Sequence, residues 1–231
     1  MPKKRKIAIF DIDGTIFRSS FLIELTEAFI REGIFKPAVS RMYERDRKNW
    51  LDRGGDYEVY IRSVIRAFEK HIKGVKYSDF LEVSQGVVDL QKKRVYRYTR
   101  DLVRELKKKK YFVLAISQSP REIVRDFAKT LGFDKVYGMV YELDKAKKKF
   151  NGNILHLDLI FNKGEILKRA VEIGNFTLKD SVGVGDTGSD ISFLRLVDRP
   201  ICFNPNSALY RHAKRAGWEV VVERKDVIYK I

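Results

Sequence analysis

Cysteine is almost missing from this chain of 231 residues. Cys202 stands alone, so no intramolecular disulfide framework can form, and a reducing cytoplasm is the expected setting. Histidine is scarce too: His71, His156 and His212 have no metal-ligand spacing, and no imidazole chemistry is assigned to them. A long apolar run is also lacking. Between the basic stretch Lys3–Lys6 and Asp11 lie only the four apolar residues Ile7–Phe10, too few for a signal-peptide core or a membrane span. No internal repeat or low-complexity linker breaks the chain.

What is present is a 44% hydrophobic composition, enough for one large domain or a core with an insertion. Positive charge is in excess, at a formal +16. Such a charge attracts nucleic acid without a specific site, yet the cations are scattered. Lys107–Lys110 end an expected helix, and Lys145 with Lys147–Lys149 precede an expected Asn151-Gly152 turn. Solvated surface is therefore the favoured reading. Pro2–Lys6 has the look of a short nuclear import signal but reads better as a basic arm ahead of the first strand.

Apolar spacing at Leu22, Leu25 and Phe29 predicts a helix closed by Gly33. A second helix is expected over about 37–51, and Tyr57, Tyr60, Ile61, Val64, Ile65 and Phe68 form the clearest helical stripe. This helical tract suggests an inserted unit at 18–86, with 1–17 and 87–231 forming the core. From Tyr96 onward strands and helices alternate: a helix to Lys109, a strand Tyr111–Ile116, and a helix opening at Ser117–Pro120. Val136–Leu143 and Ile154–Ile160 are expected to form a hairpin around Asn151-Gly152. A helix over 163–173 and strands at 181–184, 201–203 and 219–222 follow. The alternation argues for a three-layer α/β core with a mainly parallel sheet, whose ligands lie beyond the carboxyl ends of its strands.

Asp11 and Asp13 follow the first apolar run, and side chains two apart on a strand share a face. The pair suits a nucleophile beside a proton donor, with Gly14 allowing close backbone approach. It equally suits a turn that uses Asp side chains as local caps. Ser117 offers a hydroxyl and a helix-start amide to an anion, or a simple N-cap. Asp186 and Asp190 are four apart and would share a face if a helix begins there. Alternatively Asp186, Thr187 and Ser189 only cap that helix. Lys163 is one of 47 basic residues and stands out by position alone.

Taken together, Asp11-Ile-Asp-Gly-Thr15, Ser117, Lys163 and Gly185-Asp-Thr-Gly-Ser-Asp190 occur in the order of the four motifs of the haloacid dehalogenase (HAD) superfamily. The chain resembles the phosphoserine phosphatase-like branch. That resemblance implies a Rossmann-like α/β/α core with an inserted α-helical cap, and a magnesium-dependent phosphomonoester hydrolase acting on a small phosphorylated metabolite. By the same resemblance Asp11 is the nucleophile, and Asp13 protonates the leaving group and then deprotonates water. Ser117, Gln118 and Lys163 bind phosphate. The Asp11 carboxylate, the Asp13 backbone carbonyl and Asp186 hold Mg2+, and Asp190 acts behind them, through water or by orienting Lys163. The enzymes it resembles carry a glutamate nine residues beyond the nucleophile, where this chain has Ser20. Glu24, one turn further, is the other candidate substrate contact, and phosphoserine is expected to be a poor substrate. The competing reading is a basic nucleic-acid-binding protein of the same fold, with or without phosphatase action on polynucleotide ends. Phosphoryl transfer to an acceptor other than water also remains open, as does a monomer against a dimer.

Overall fold

The computed structural model describes residues 4–144 and 148–231; Pro2 and Lys3 of the basic arm and Lys145 and Lys147 of the later basic run lie outside them. The chain begins with β1 (Arg5–Phe10), then α1 (Phe21–Arg31), a 3-10 turn (Pro37–Met42), α2 (Glu44–Leu51), α3 (Tyr57–Ile72) and α4 (Tyr77–Gln91). Next come α5 (Arg97–Lys108), β2 (Phe112–Pro120), α6 (Arg121–Thr130), β3 (Lys135–Asp144), β4 (Lys149–Leu155), α7 (Leu157–Ile160) and α8 (Lys163–Gly174). The chain finishes with β5 (Phe176–Gly185), a 3-10 turn (Gly188–Asp190), α9 (Ile191–Leu194), β6 (Arg199–Phe203), α10 (Ser207–Ala216), β7 (Glu219–Arg224) and β8 (Val227–Lys230). These elements gather into two compact units, residues 1–18, 92–139 and 156–231 in the first and 19–91 with 140–155 in the second.

In the first unit the strands run parallel in the order β3-β2-β1-β5-β6-β7, and β8 adds an antiparallel edge. The central strand explains its own sequence: Ile7, Ala8, Ile9 and Phe10 are all fully buried, as a parallel strand covered on both faces must be. From β1 the chain steps outward to β2 and β3, and from β5 outward the other way to β6 and β7. Crossovers of the right-handed kind that parallel strands follow would put the connecting helices on opposite faces, and the order reverses between β1 and β5. Register aligns the carboxyl ends at that reversal, since Phe10 pairs with Ala115 on one side and with Val184 on the other.

The second unit is built on an aromatic core. Phe29 of α1 lies 5.9 Å from Phe68 of α3 and 6.0 Å from Phe80 of α4, by ring centroids. Phe80 also meets Phe150 of β4 at 5.1 Å, and Phe68 meets Tyr141 of β3 at 5.5 Å. Those rings explain why 140–155 gathers with the helices, whereas the expected division at 18–86 left it in the core. Backbone bonds reinforce the grouping, with Gly74 N–H donating to Phe150 O at 2.8 Å and Phe150 N–H to Val75 O at 3.0 Å.

Three local expectations need correction. Asn151-Gly152 is not the hairpin turn but part of β4: Tyr141 pairs with Ile154 and Leu143 with Phe150, so β4 carries a bulge, with Gly152 at φ +93°. Residues 157–160 are helical rather than strand. Finally, β2 continues through Ser117 to Pro120, with a register shift against β3 after Ile116, and α6 starts only at Arg121. Ser117 therefore lends no helix-start amide. The edge strand β8, four residues long, was not anticipated.

Candidate active site

The site lies entirely within the first unit, where β1, β2 and β5 end. Asp11 leaves β1 with its N–H bonded to Val184 O at 2.9 Å, and its side chain is 7% exposed. Lys163, the first residue of α8, is buried and donates to Asp11 Oδ1 and to Asp190 Oδ1, each at 2.6 Å. A buried ammonium thus joins two buried carboxylates that are 179 positions apart in sequence. Asp13 receives the Ser117 hydroxyl on Oδ2 at 2.7 Å, while Ser117 Oγ accepts Ser119 N–H at 2.9 Å. Gln118, half-buried, lies between these two serines on β2.

Asp186 sits one residue beyond β5, and Thr15 donates its hydroxyl to Asp186 Oδ1 at 3.1 Å. Gly14, at φ +79°, allows this: a Cβ there would lie 2.1 Å from Asp186 Oδ2, so only glycine admits both the backbone angle and the approach. Asp190 serves a double purpose. Its Oδ2 accepts the N–H groups of Asp186 at 3.0 Å and Thr187 at 2.9 Å, closing a capping box with Thr187, while Oδ1 holds Lys163. Capping and site geometry, weighed above as alternatives, are here the same set of bonds.

Electrostatically the cluster is short of positive charge. Burial, with the nearby Asp190 and Asp13 carboxylates, pushes Asp11 up to about 7 against the opposing pull of Lys163. Asp186 is raised well above the usual carboxylate range, by burial and then by the charges of Asp11 and Asp190. Burial lowers the Lys163 pKa, but its two carboxylates outweigh that and the net shift is upward. Oxygen atoms of Asp11, Asp186 and Asp190 lie within 4.8 Å of one another. Three carboxylates against one ammonium leave room for a divalent cation, and an all-oxygen donor set suits a hard one. Since both Asp190 oxygens are already engaged, Asp11 and Asp186 are the carboxylates of this group better placed to reach such an ion.

Two expected residues belong to the second unit. Ser20 is buried and caps α1, accepting Leu22 N–H on Oγ at 3.3 Å. Glu24 accepts Gln91 Nε2 at 2.9 Å. The histidines hold packing or surface positions: His71 Nδ1 meets Ala67 O at 2.8 Å, His212 lies edge-on to Trp218, and His156, exposed, precedes α7 in a left-handed turn.

Two supporting residues have no role assigned from the sequence, although Asn204-Pro205-Asn206 reads there as a loop near the site. Asn206 caps α10 through Oδ1 while its N–H donates to Asp186 O at 2.8 Å, fixing the backbone beside the site. The Asn-Pro-Asn run just before a helix carried that signal. Thr99, buried in α5, donates to Thr15 O at 2.8 Å from 84 residues away, with no local mark in the sequence.

The profile of the haloacid dehalogenase-like hydrolases matches residues 8–195. Among curated proteins, the inhibition of morphological differentiation protein of Streptomyces azureus is 24% identical over 225 residues, covering 94% of this chain and 78% of that one. The phosphoserine phosphatase of Methanocaldococcus jannaschii is 25% identical over 234 residues, covering 98% and 96%. A solved phosphoserine phosphatase, described as a phospho-aspartyl intermediate analogue, superposes with a TM-score of 0.63 at 23% identity, covering 97% of this chain and 96% of that one. With the motif residues assembled at the carboxyl ends of the central strands and the matching profile spanning most of its length, the chain belongs to the haloacid dehalogenase-like hydrolase family.

Proposed function

We propose that the protein is a magnesium-dependent phosphomonoester hydrolase that works through an aspartyl phosphate on Asp11. The observation that carries this reading is the Lys163 ammonium held 2.6 Å from both Asp11 and Asp190, beside an Asp13 that accepts the Ser117 hydroxyl. Lys163 orients the Asp11 carboxylate and offers fixed positive charge to a phosphoryl group. The Asp11 carboxylate attacks phosphorus while the ester P–O bond breaks, and Asp13 delivers a proton to the departing oxygen. Asp13 then takes a proton from water, whose oxygen bonds to phosphorus as the bond to Asp11 breaks. Ser117 keeps Asp13 in place and, with Gln118, contacts phosphate oxygens. Asp11, Asp186 and the Asp13 backbone carbonyl would hold Mg2+, which when bound neutralises phosphoryl charge.

The helical second unit is assigned the choice of leaving group, and the substrate is a small phosphorylated metabolite. Phosphoserine is expected to rank low, because Ser20 brings no charge for an amino group and its hydroxyl already caps α1. The test is phosphate release across a phosphoester panel that includes L-phosphoserine, with magnesium and with excess chelator, for the native protein and Asp11→Asn. Metal-dependent release that disappears in Asp11→Asn is expected. Undiminished release in chelator, or by Asp11→Asn, overturns the mechanism, and phosphoserine giving the highest kcat/KM overturns the substrate ranking.

A further inference from the structure

Tyr96 is half-buried and lies wholly within the first unit, where its neighbours fix it on several sides. Its N–H donates to Ile16 O at 3.0 Å, one residue beyond the Thr15 whose hydroxyl bonds Asp186. Its ring stands edge-on to Phe203 at 4.9 Å, and the Arg18 guanidinium rests 5.5 Å over its face. The pairing of β5 with β6 brings Phe203 level with Asp186, since Gly185 and Cys202, one residue before each, are partners. Tyr96 is thus bracketed by two neighbours of Asp186, and the charge of that carboxylate acts on it.

Asn204 decides which way the Tyr96 hydroxyl is used. The Glu223 N–H donates to Asn204 Oδ1 at 2.9 Å, and the Asn204 N–H donates to Val221 O at 2.8 Å, so the amide is held from both ends. Its Nδ2 is then the group that bonds the phenol oxygen, a contact that by itself favours negative charge there. An oxygen that accepts from Asn204 keeps its own proton to give elsewhere. Burial and then the Asp186 charge outweigh that contact and raise the pKa, so the hydroxyl remains a donor at neutral pH. No acceptor among the described residues takes the proton. Tyr98 makes the contrast: it stacks on the same Phe203 at 5.8 Å, but its hydroxyl faces Glu219 Oε1 at 3.5 Å.

We propose that Tyr96 is a positioning residue of the metal site, its hydroxyl donating to a water carried by the divalent cation that Asp11 and Asp186 would hold. This rests on the metal-site part of the reading above. Magnesium gives up its waters reluctantly and usually keeps several, so a neutral donor beside a ligating carboxylate has an oxygen to bind. Such outer contacts orient a metal centre, and their loss typically weakens metal affinity about 10–100-fold. The neutral phenol adds no charge to the carboxylates of Asp11, Asp186 and Asp190 and the Lys163 ammonium, and acts by direction alone.

The test titrates Mg2+ alone, by calorimetry, into the chelator-treated native protein, Tyr96→Phe and the control Tyr98→Phe. Phosphate release from the phosphoester panel is followed against Mg2+ concentration in the same three proteins. Tyr96→Phe keeps the ring that meets Phe203 and Arg18 and removes only the hydroxyl, and thermal melting checks that its fold is native. Tyr96→Phe is expected to weaken Mg2+ binding roughly tenfold and to raise the Mg2+ concentration for half-maximal release by a similar factor. Tyr98→Phe, which loses a hydroxyl from the same aromatic cluster, should change neither. Native Mg2+ affinity in Tyr96→Phe, or an equal loss in Tyr98→Phe, overturns the inference, and metal-dependent release in those proteins leaves the hydrolase reading standing. Mg2+ binding that weakens in Tyr96→Phe, without release from any phosphoester by the native protein, keeps the inference and overturns the hydrolase reading instead. A native protein that binds no Mg2+ overturns both.

Discussion

Gly14 is the residue on which the site geometry most depends, because it meets two demands at once. A side chain there would have to adopt φ +79° and would overlap Asp186. Gly14→Ala should therefore cost about 1–2 kcal/mol of stability from the left-handed angle alone. Its effect on rate should be larger, about 10²-fold, because Asp186 must move and small misplacements at a reacting centre are expensive. Thermal melting and steady-state turnover on the same sample check both parts; an alanine variant with native turnover would mean that Asp186 needs no such contact. The same contact illustrates what one sequence can reveal. Asp11, Asp13 and Gly14 are legible as a local pattern, but the closeness of position 14 to Asp186, whose Oδ2 would lie 2.1 Å from an added Cβ, exists only in the fold.

At the level of elements, legibility followed burial. The stripe from Tyr57 to Phe68 and the run Ile7–Phe10 were clear because a buried face leaves a period in the sequence, and α3 and β1 follow those patterns. The β3–β4 hairpin was harder. Asn-Gly favours a tight turn, but rings at Tyr141 and Phe150 set the pairing and turned the positive angle at Gly152 into a bulge. Ser117–Pro120 was misread for a related reason: proline suits the start of a helix, yet here it is the N-cap and the strand runs up to it. Phe150 gives the matching stability test. Buried, and ringed by Tyr77, Phe80 and Tyr141, it should cost about 3–5 kcal/mol on change to alanine. Denaturant melts followed in the second unit, for instance through Trp50 fluorescence, measure this; a loss below 1 kcal/mol would mean that the helices hold together without the hairpin.

Across the whole molecule the charge is uneven in a way that composition hides. The first unit carries 31 of the 47 basic and 17 of the 31 acidic residues, a net +14, leaving 16 and 14, a net +2, for the second. A field of that sign on the unit that holds the site favours the approach of anions in general, an effect that weakens as salt rises. The described residues contain no helix long and apolar enough to cross a membrane. One further consequence follows from Cys202. It lies in β6, paired across from Gly185 and wholly inaccessible, and burial followed by the Asp190 charge lifts its thiol to about 12. Alkylating reagents consume thiolate, so the native protein should stay unmodified over times in which a free peptide thiol reacts completely. The sole sulfhydryl is then a built-in clock. Its slow labelling should track openings that expose the central sheet, and a labelling rate close to that of unfolded chain would mean that the strands beside the site separate far more readily than their packing implies.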